Sequence, residues 1–267
     1  SKSSYGLLSQ GGTTAIDRMF RGVSLRNKNI VDIGCGLGGT DVYLAKKHRV
    51  TITGLDPLQH VIDRAQQTAA QQSLNQKLTY VCTPNLPYPI ADNSFDIAFS
   101  KEALLHCAEK KELLKEVFRI LKPGGKIIII DWLFAENAHK TTLEIFNVPT
   151  FKLATIKEYV AYLSDAGFTD ISTRLENKHY CRYSKQATRR LKKKKASVCS
   201  QFGEEKYTDT LEAWTTQYDL FATQELLVAL LKASKPFATQ PQPQPKSISQ
   251  SIKNIFSQIP KLFSRKS

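Results

Sequence analysis

The stretch Ile30 to Thr40, reading I-V-D-I-G-C-G-L-G-G-T, decides how this chain folds. Ile30, Val31, Asp32 and Ile33 form a short strand pattern that runs directly into Gly34, Gly36, Gly38 and Gly39. A turn this poor in side chains lets the backbone approach a ligand and adopt dihedrals that a Cβ forbids. The pattern then predicts a helix from Thr40 or Asp41 through Ala45, whose first N–H groups favour an electron-rich ligand. This is a nucleotide-binding turn.

Gly34, Gly36 and Gly39 also satisfy G-x-G-x-x-G, so two nucleotide classes compete. Asp32 tilts the choice, because a carboxylate facing the loop repels a pyrophosphate and suits an ammonium or a polar N–H. A second apolar strand (Val50, Ile52) ends at Leu55-Asp56, followed by Pro57, 22 residues beyond Gly34. An acid there grips ribose hydroxyls in either class. Phe95 to Ser100 and the turn Leu121-Lys122-Pro123-Gly124-Gly125 ahead of Ile127–Ile130 discriminate between them.

Outward from the turn, apolar runs and amphipathic segments alternate. Thr13–Phe20 reads as a short helix. Strands follow at Ile30–Ile33, Val50–Leu55, Leu78–Cys82, Phe95–Phe99 and Lys126–Asp131, with helices to Lys47, over 58–72 and over Lys110–Leu121 between them. Strands separated by helices of this length imply a doubly wound, mostly parallel sheet, α/β in class. Ligands of such sheets lie at the carboxyl ends of the strands. Gly34, Asp56, Asn85 (followed by Leu86) and Ser100 all fall there. After Trp132 the pattern loosens, and Leu133–Phe151 is expected to form a cap. A helix over Thr155–Ala166, a strand over Thr169–Leu175, a basic helix over Lys178–Ala196, a helix over Tyr207–Thr223 and a strand over Leu226–Lys232 complete a seven-stranded sheet.

Taken in order, these four signals resemble the class I S-adenosylmethionine (SAM)-dependent methyltransferases, over roughly Tyr5 to Lys235. The resemblance implies a Rossmann-like fold and SAM as cofactor, held by Asp32, Gly34, Gly36, Gly38, Asp56, Pro57, Asn85, Leu86 and Ser100. Methyl transfer from a sulfonium needs mainly proximity and in-line alignment. The segment Ser100-Lys101-Glu102-Ala103-Leu104-Leu105-His106 follows the fourth strand at the mouth of that site. His106 stands where a general base reaches an acceptor, the alternative being a rim histidine packed on a helix. Glu102 is a candidate to hold a cationic acceptor or to orient His106, the alternative being a solvated carboxylate at a helix start. His48, His60, His139 and His179 read as surface residues.

S-K-E-A-L-L-H with L-K-P-G-G, together with Leu7-Leu8-Ser9-Gln10-Gly11-Gly12-Thr13-Thr14, resembles a narrower group, the small-molecule N-methyltransferases of phosphoethanolamine and of glycine-betaine precursors. In that group the early segment closes over SAM and the histidine matching His106 serves the transfer. Three positions depart from it. Leu7 or Leu8 replaces a tyrosine partner, and Asn85 replaces an acid on the adenine amine, where an amide still hydrogen-bonds. Pro149 and Phe151 stand where a basic and tyrosine pair is expected to grip a phosphate. A nonphosphorylated amine is the expected acceptor. O- or C-methylation of a quinone- or lipid-like acceptor and SAM binding without turnover are the alternatives. An RNA methyltransferase is a further rival, because Lys178–Lys195 is basic and Pro84-Asn85-Leu86-Pro87-Tyr88 superficially resembles the N-P-P-Y base-flipping motif. That motif belongs after the fourth strand, whereas this one follows the third, so nucleic acid is not the expected partner.

The chain of 267 residues is long enough for one large α/β domain with an appendage, and it carries a net charge of +14. Nine Lys or Arg and no acid lie in 178–195, and five more with no acid in 236–267, so the remaining chain is balanced. No run of 18 apolar residues offers a membrane span. Ser1-Lys2-Ser3-Ser4 has no apolar signal core and no initiator Met, and a truncated or processed start is expected. Cys35, Cys82, Cys107, Cys181 and Cys199 lack metal-ligand spacing, so no metal is expected, and reduced thiols imply a cytoplasmic setting. The domain is expected over 1–235, with a low-complexity linker over 236–247 containing P-Q-P-Q-P. Over 248–267, Ile248, Ile252, Ile255, Phe256, Ile259, Leu262 and Phe263 recur at helical spacing among basic residues. That tail reads as disordered or as a basic amphipathic helix for peripheral contact with an anionic membrane, with Pro260 opposing the helix.

Overall fold

The computed structural model describes residues 11–237. The early tyrosine-replacing leucines and the tail over 248–267 therefore lie outside the described residues. The main unit begins with α1 (Gly12–Met19), β1 (Lys28–Ile33), α2 (Gly39–Lys47), β2 (Val50–Asp56), α3 (Gln59–Gln71) and β3 (Leu78–Cys82). It continues through β4 (Phe95–Lys101), α4 (Lys110–Ile120), β5 (Leu121–Phe134), α5 (Lys140–Ile145) and β6 (Ala154–Thr155). Then come α6 (Ile156–Asp165), β7 (Thr169–Leu175), α7 (Asn177–Lys193), α8 (Lys195–Phe202), α9 (Glu204–Ala222) and β8 (Leu226–Ser234).

The strands form one sheet in the order β3-β2-β1-β4-β5-β8-β7, with β6 pairing β5 off that path. β8 is antiparallel to both its neighbours, and the other ladders are parallel. The seven expected strands are all present, and two-residue β6 is an addition too short to show in a hydrophobic pattern. β1 is buried on both faces, as a central parallel strand must be.

Alternate side chains go to opposite faces of a strand. Ile30, Ile128 and Ile130 therefore enter one core with Val42, Leu44, Ile62, Tyr180 and Phe221. Val31, Ile33, Ile127 and Ile129 enter the other with Leu114, Val117, Tyr159 and Leu163. α2, α3, α7 and α9 thus cover one face, and α4 and α6 the other. Thr155 caps α6 by a reciprocal bond with Glu158, which fixes that helix start. All five cysteines are free thiols.

Several boundaries depart from expectation. The L-K-P-G-G turn is built into β5, which starts at Leu121, bends at Gly124 (φ 77°) and runs on to Phe134. The expected cap therefore begins only after Phe134. The basic segment forms two helices, α7 and α8, joined at Lys194. Among the described residues no helix is long and apolar enough to cross a membrane.

Candidate active site

The order of the sheet reverses beside β1, between β2 and β4, and a cavity of about 1110 Å³ opens at the carboxyl ends of these strands. Its walls include Asp32, Gly34, Gly36 and Gly39 of the glycine turn, Asp56 after β2, and Glu102 and His106 after β4. Trp132, Phe146 and Phe151 close one side, and Trp214 and Gln217 of α9 another.

The turn keeps its shape because two of its glycines occupy positions no other residue fits. A Cβ on Gly34 (φ 79°) would lie 2.3 Å from the Ala103 Cβ, and one on Gly38 (φ 72°) 2.3 Å from the Tyr80 Oη. Gly38 caps α2, so it shapes the turn, and it is not among the residues lining the cavity. Asp56 braces the turn from below: its Oδ2 accepts from the Gly36 N–H at 3.1 Å and its Oδ1 from the Leu58 N–H at 3.1 Å.

Asp32 is 3% exposed and lines the cavity, with a buried Oδ1 that has no hydrogen-bond partner among the described residues. Burial, then the charges of Asp41 and Asp56, push its carboxyl well above the ordinary aspartate range. Asp41 on α2 is fully buried, and burial raises it to about 7. An acid so placed favours an arriving cation, whose charge repays the cost of ionising it.

The segment after β4 differs from the expected helix start. Glu102 stands in the left-handed region (φ 53°), and Leu104–His106 forms a single 3₁₀ turn. The Glu102 side chain is 7% exposed, so it is not a solvated carboxylate. Its Oε1 accepts from the Lys101 Nζ at 2.7 Å and from the Tyr180 Oη at 2.6 Å. His106 lies 2.6 Å from the Thr150 carbonyl through Nδ1 and stacks on Phe151, ring centroids 5.5 Å apart. A carbonyl only accepts, so Nδ1 carries the proton and Nε2 of the neutral ring keeps its lone pair. Phe151 also faces Trp132 at 6.4 Å and Phe146 at 5.3 Å.

Besides Gly38, four further expected cofactor residues lie elsewhere among the described residues. Ser100 is 2% exposed and donates to the Ile33 carbonyl at 2.8 Å, tying β4 to β1. Pro57, Asn85 and Leu86 are exposed and do not line the cavity. Tyr88, the expected stacking residue of the base-flipping rival, is 7% exposed within the second core, which removes it as a platform. Sequence reasoning missed Trp132, Phe146 and the α9 wall. Trp132 lies within β5, near its carboxyl end, and an aromatic at a strand end is a signal the sequence carries; nothing in the spacing of α9 signals its place.

Residues 31–129, which hold the glycine turn and the strands beside it, match the family described as "Methyltransferase domain". A methyltransferase domain is thus recognised over those residues. The chain is 29% identical over 232 residues to phosphoethanolamine N-methyltransferase 1 of Arabidopsis thaliana, covering 86% of this chain and 47% of that protein. The chain thus spans about half the length of such relatives. Among solved structures it superposes on Haemonchus contortus phosphoethanolamine N-methyltransferase 2, in complex with phosphomonomethylethanolamine and S-adenosylhomocysteine. The TM-score is 0.79 at 21% identity, over 86% of this chain and 55% of the other. A Galdieria sulphuraria protein assigned as a sarcosine dimethylglycine methyltransferase gives a TM-score of 0.74 at 20% identity, over 85% and 86% of the two chains.

Proposed function

We propose that this chain transfers a methyl group from S-adenosylmethionine to an amine nitrogen of a small, nonphosphorylated acceptor. The observation that carries the reading is a cavity both acidic and aromatic, beginning at the glycine turn. Asp32, Asp56, Glu102, Asp209 and Glu212 line it, whereas Lys101 is the one Lys or Arg among its described lining residues. That Lys101 is held by Glu102. A cationic cofactor and an amine fit such a wall, and a phosphate does not.

The residues present fit SAM. The backbone of Gly34 and Gly36 would take the amino-acid part, the unpartnered Oδ1 of Asp32 an ammonium, and Asp56 the ribose hydroxyls. When bound there, SAM supplies a sulfonium methyl activated for in-line displacement. The chain's own task is to align and to move a proton. His106, held by Thr150, offers Nε2 to take a proton from the acceptor ammonium, which exposes the nitrogen lone pair. Trp132, Phe146, Phe151 and Trp214 attract a cation through their ring faces, and Glu102 adds charge beside them. Asp32, Gly34, Gly36, Asp56, Glu102 and His106 are the residues this reading assigns to function.

The test is transfer of a radiolabelled methyl from SAM across ethanolamine, sarcosine, dimethylglycine and phosphoethanolamine. Label is expected in nonphosphorylated amines. Label confined to phosphoethanolamine, or appearing on phenols and RNA alone, would overturn the reading. For residues 248–267 the basic amphipathic pattern supports peripheral attachment to an anionic membrane. Equal pelleting with anionic liposomes of the full chain and of one ending at Lys235 would end that part.

A further inference from the structure

A second cavity, of about 730 Å³, lies between α1 and α7, and its chemistry is opposite to that of the first. From α7 come His179, Arg182, Tyr183, Gln186, Ala187 and Arg190, at offsets 0, 3, 4, 7, 8 and 11, which is one face of a helix. Arg18 and Arg21 enter from α1 and the residues just after it. No carboxylate lines this cavity among the described residues.

Glu176 is the acid beside it, and it is already engaged. Arg18 donates to its Oε2 through Nη2 at 2.7 Å and through Nε at 3.1 Å, and Arg174 donates to its Oε1 at 2.8 Å. One carboxylate thus serves two guanidiniums. Among the described residues Arg21, Arg182 and Arg190 have no carboxylate within ion-pair distance. The start of α1 faces the same space through Gly12, Thr13 and Thr14. That helix has no side-chain cap and no acid in its first turn, so its leading N–H groups point where an anion is favoured. Contact between the two elements is close: a Cβ on Gly11 would lie 2.5 Å from the Tyr183 ring.

We propose that this cavity is a phosphate-binding site, gripped by Arg182, Arg190 and Arg21 and closed by the N-terminus of α1. Planar guanidiniums bind phosphate in bidentate fashion, and a helix N-terminus adds oriented donors. Arg182 and Arg190 are two of the basic residues of α7, and neither lines the methyl-transfer cavity. His179 reports the potential there: burial first, then the charge of Arg18, holds its imidazole below the usual histidine range, with Arg182 and Lys178 adding to this and Glu176 opposing it. A bound phosphate reverses that field and raises the His179 pKa. The inference does not rest on the methyl-transfer reading.

The test is an NMR titration of the full chain with inorganic phosphate, following the His179 imidazole, assigned with His179→Gln. Saturable movement of that signal and a raised His179 pKa are expected, with chloride at equal ionic strength producing neither. In the Arg182→Ala/Arg190→Ala double variant, both exposed positions, the apparent affinity is expected to fall at least tenfold while circular dichroism is unchanged. A misfolded double variant is replaced by Arg182→Gln/Arg190→Gln, for which the same loss is expected. An unmoved His179 signal, a chloride response equal to that of phosphate, or equal affinity in folded variants would overturn the proposal. Vesicles of phosphatidylglycerol in phosphatidylcholine separate the two sources of the group. Pelleting that needs Arg182 and Arg190 assigns a lipid headgroup, and phosphate binding without such pelleting assigns a soluble phosphate.

Discussion

Removing the Glu102 carboxylate should unfasten the floor of the larger cavity, and the size of the effect follows from its partners. Glu102 and Lys101 pair at 2.7 Å with side chains 7% and 4% exposed. The hydroxyl of Tyr180, itself 1% exposed, donates to the same oxygen at 2.6 Å. Deleting one member of a buried pair costs about 3–5 kcal/mol. Leaving the Tyr180 hydroxyl without this acceptor costs about 1–3 kcal/mol more, part of it shared. Glu102→Ala is therefore expected to lose about 4–6 kcal/mol, close to the whole stability of many domains.

The informative variants are milder. Glu102→Gln keeps the shape and an acceptor but removes the charge, and is expected to lose about 2–3 kcal/mol, as is Tyr180→Phe. Because both act on Oε1, the double variant should lose at least about 0.5 kcal/mol less than their sum. Glu102→Gly should recover about 1 kcal/mol relative to Glu102→Ala, since φ 53° is free of strain only for glycine. Urea unfolding at neutral pH measures all of these. A Glu102→Gln protein within about 0.5 kcal/mol of the parent, additive with Tyr180→Phe, would refute the reasoning.

Three further outcomes are expected. Gly38→Ala should destabilise the chain by about 2–3 kcal/mol, from left-handed strain plus overlap with the Tyr80 hydroxyl, and Tyr80→Leu in the same chain should restore the part due to overlap; no restoration in urea unfolding would leave strain alone. Asp131 is fully buried, accepts from the Tyr159 hydroxyl, and is raised by burial from 3.8 to about 7. The folded state holds this proton while the unfolded state loses it, so Asp131 favours folding below pH 4, and that contribution is lost between about pH 4 and 7. Asp131→Asn should therefore gain on the parent by about 4 kcal/mol across that window, and parallel unfolding curves at pH 5 and 8 would count against the raised value. His106→Ala should lower turnover by about 100-fold or more with little change in the Michaelis constant for SAM; unchanged turnover at saturating acceptor would leave His106 as packing against Phe151.

Local chemistry along the chain was enough to establish the doubly wound sheet, the glycine turn and the place of the cavity. Ile30–Ile33 and Ile127–Ile130 are apolar on both faces, which only a covered parallel strand satisfies, and the turn demands glycine where φ is positive. Asp32, Asp56, Glu102 and His106 were legible for the same reason, since each sits at a fixed distance from a strand end. What surrounds them was not legible. Ser100 faces Ile33 rather than the cavity, and Glu102 is buried by Lys101 and Tyr180, 78 residues away in the second case. Trp214 shares a cavity with the glycine turn only through the packing of α9, and Arg18 shares one with Arg182 only because α1 packs beside α7. A strand or a turn is encoded by neighbours in sequence, through backbone dihedrals and periodic burial. A cavity wall, an ion pair or a cationic pocket is encoded by which faces the helices present when they pack, and only the tertiary structure settles that.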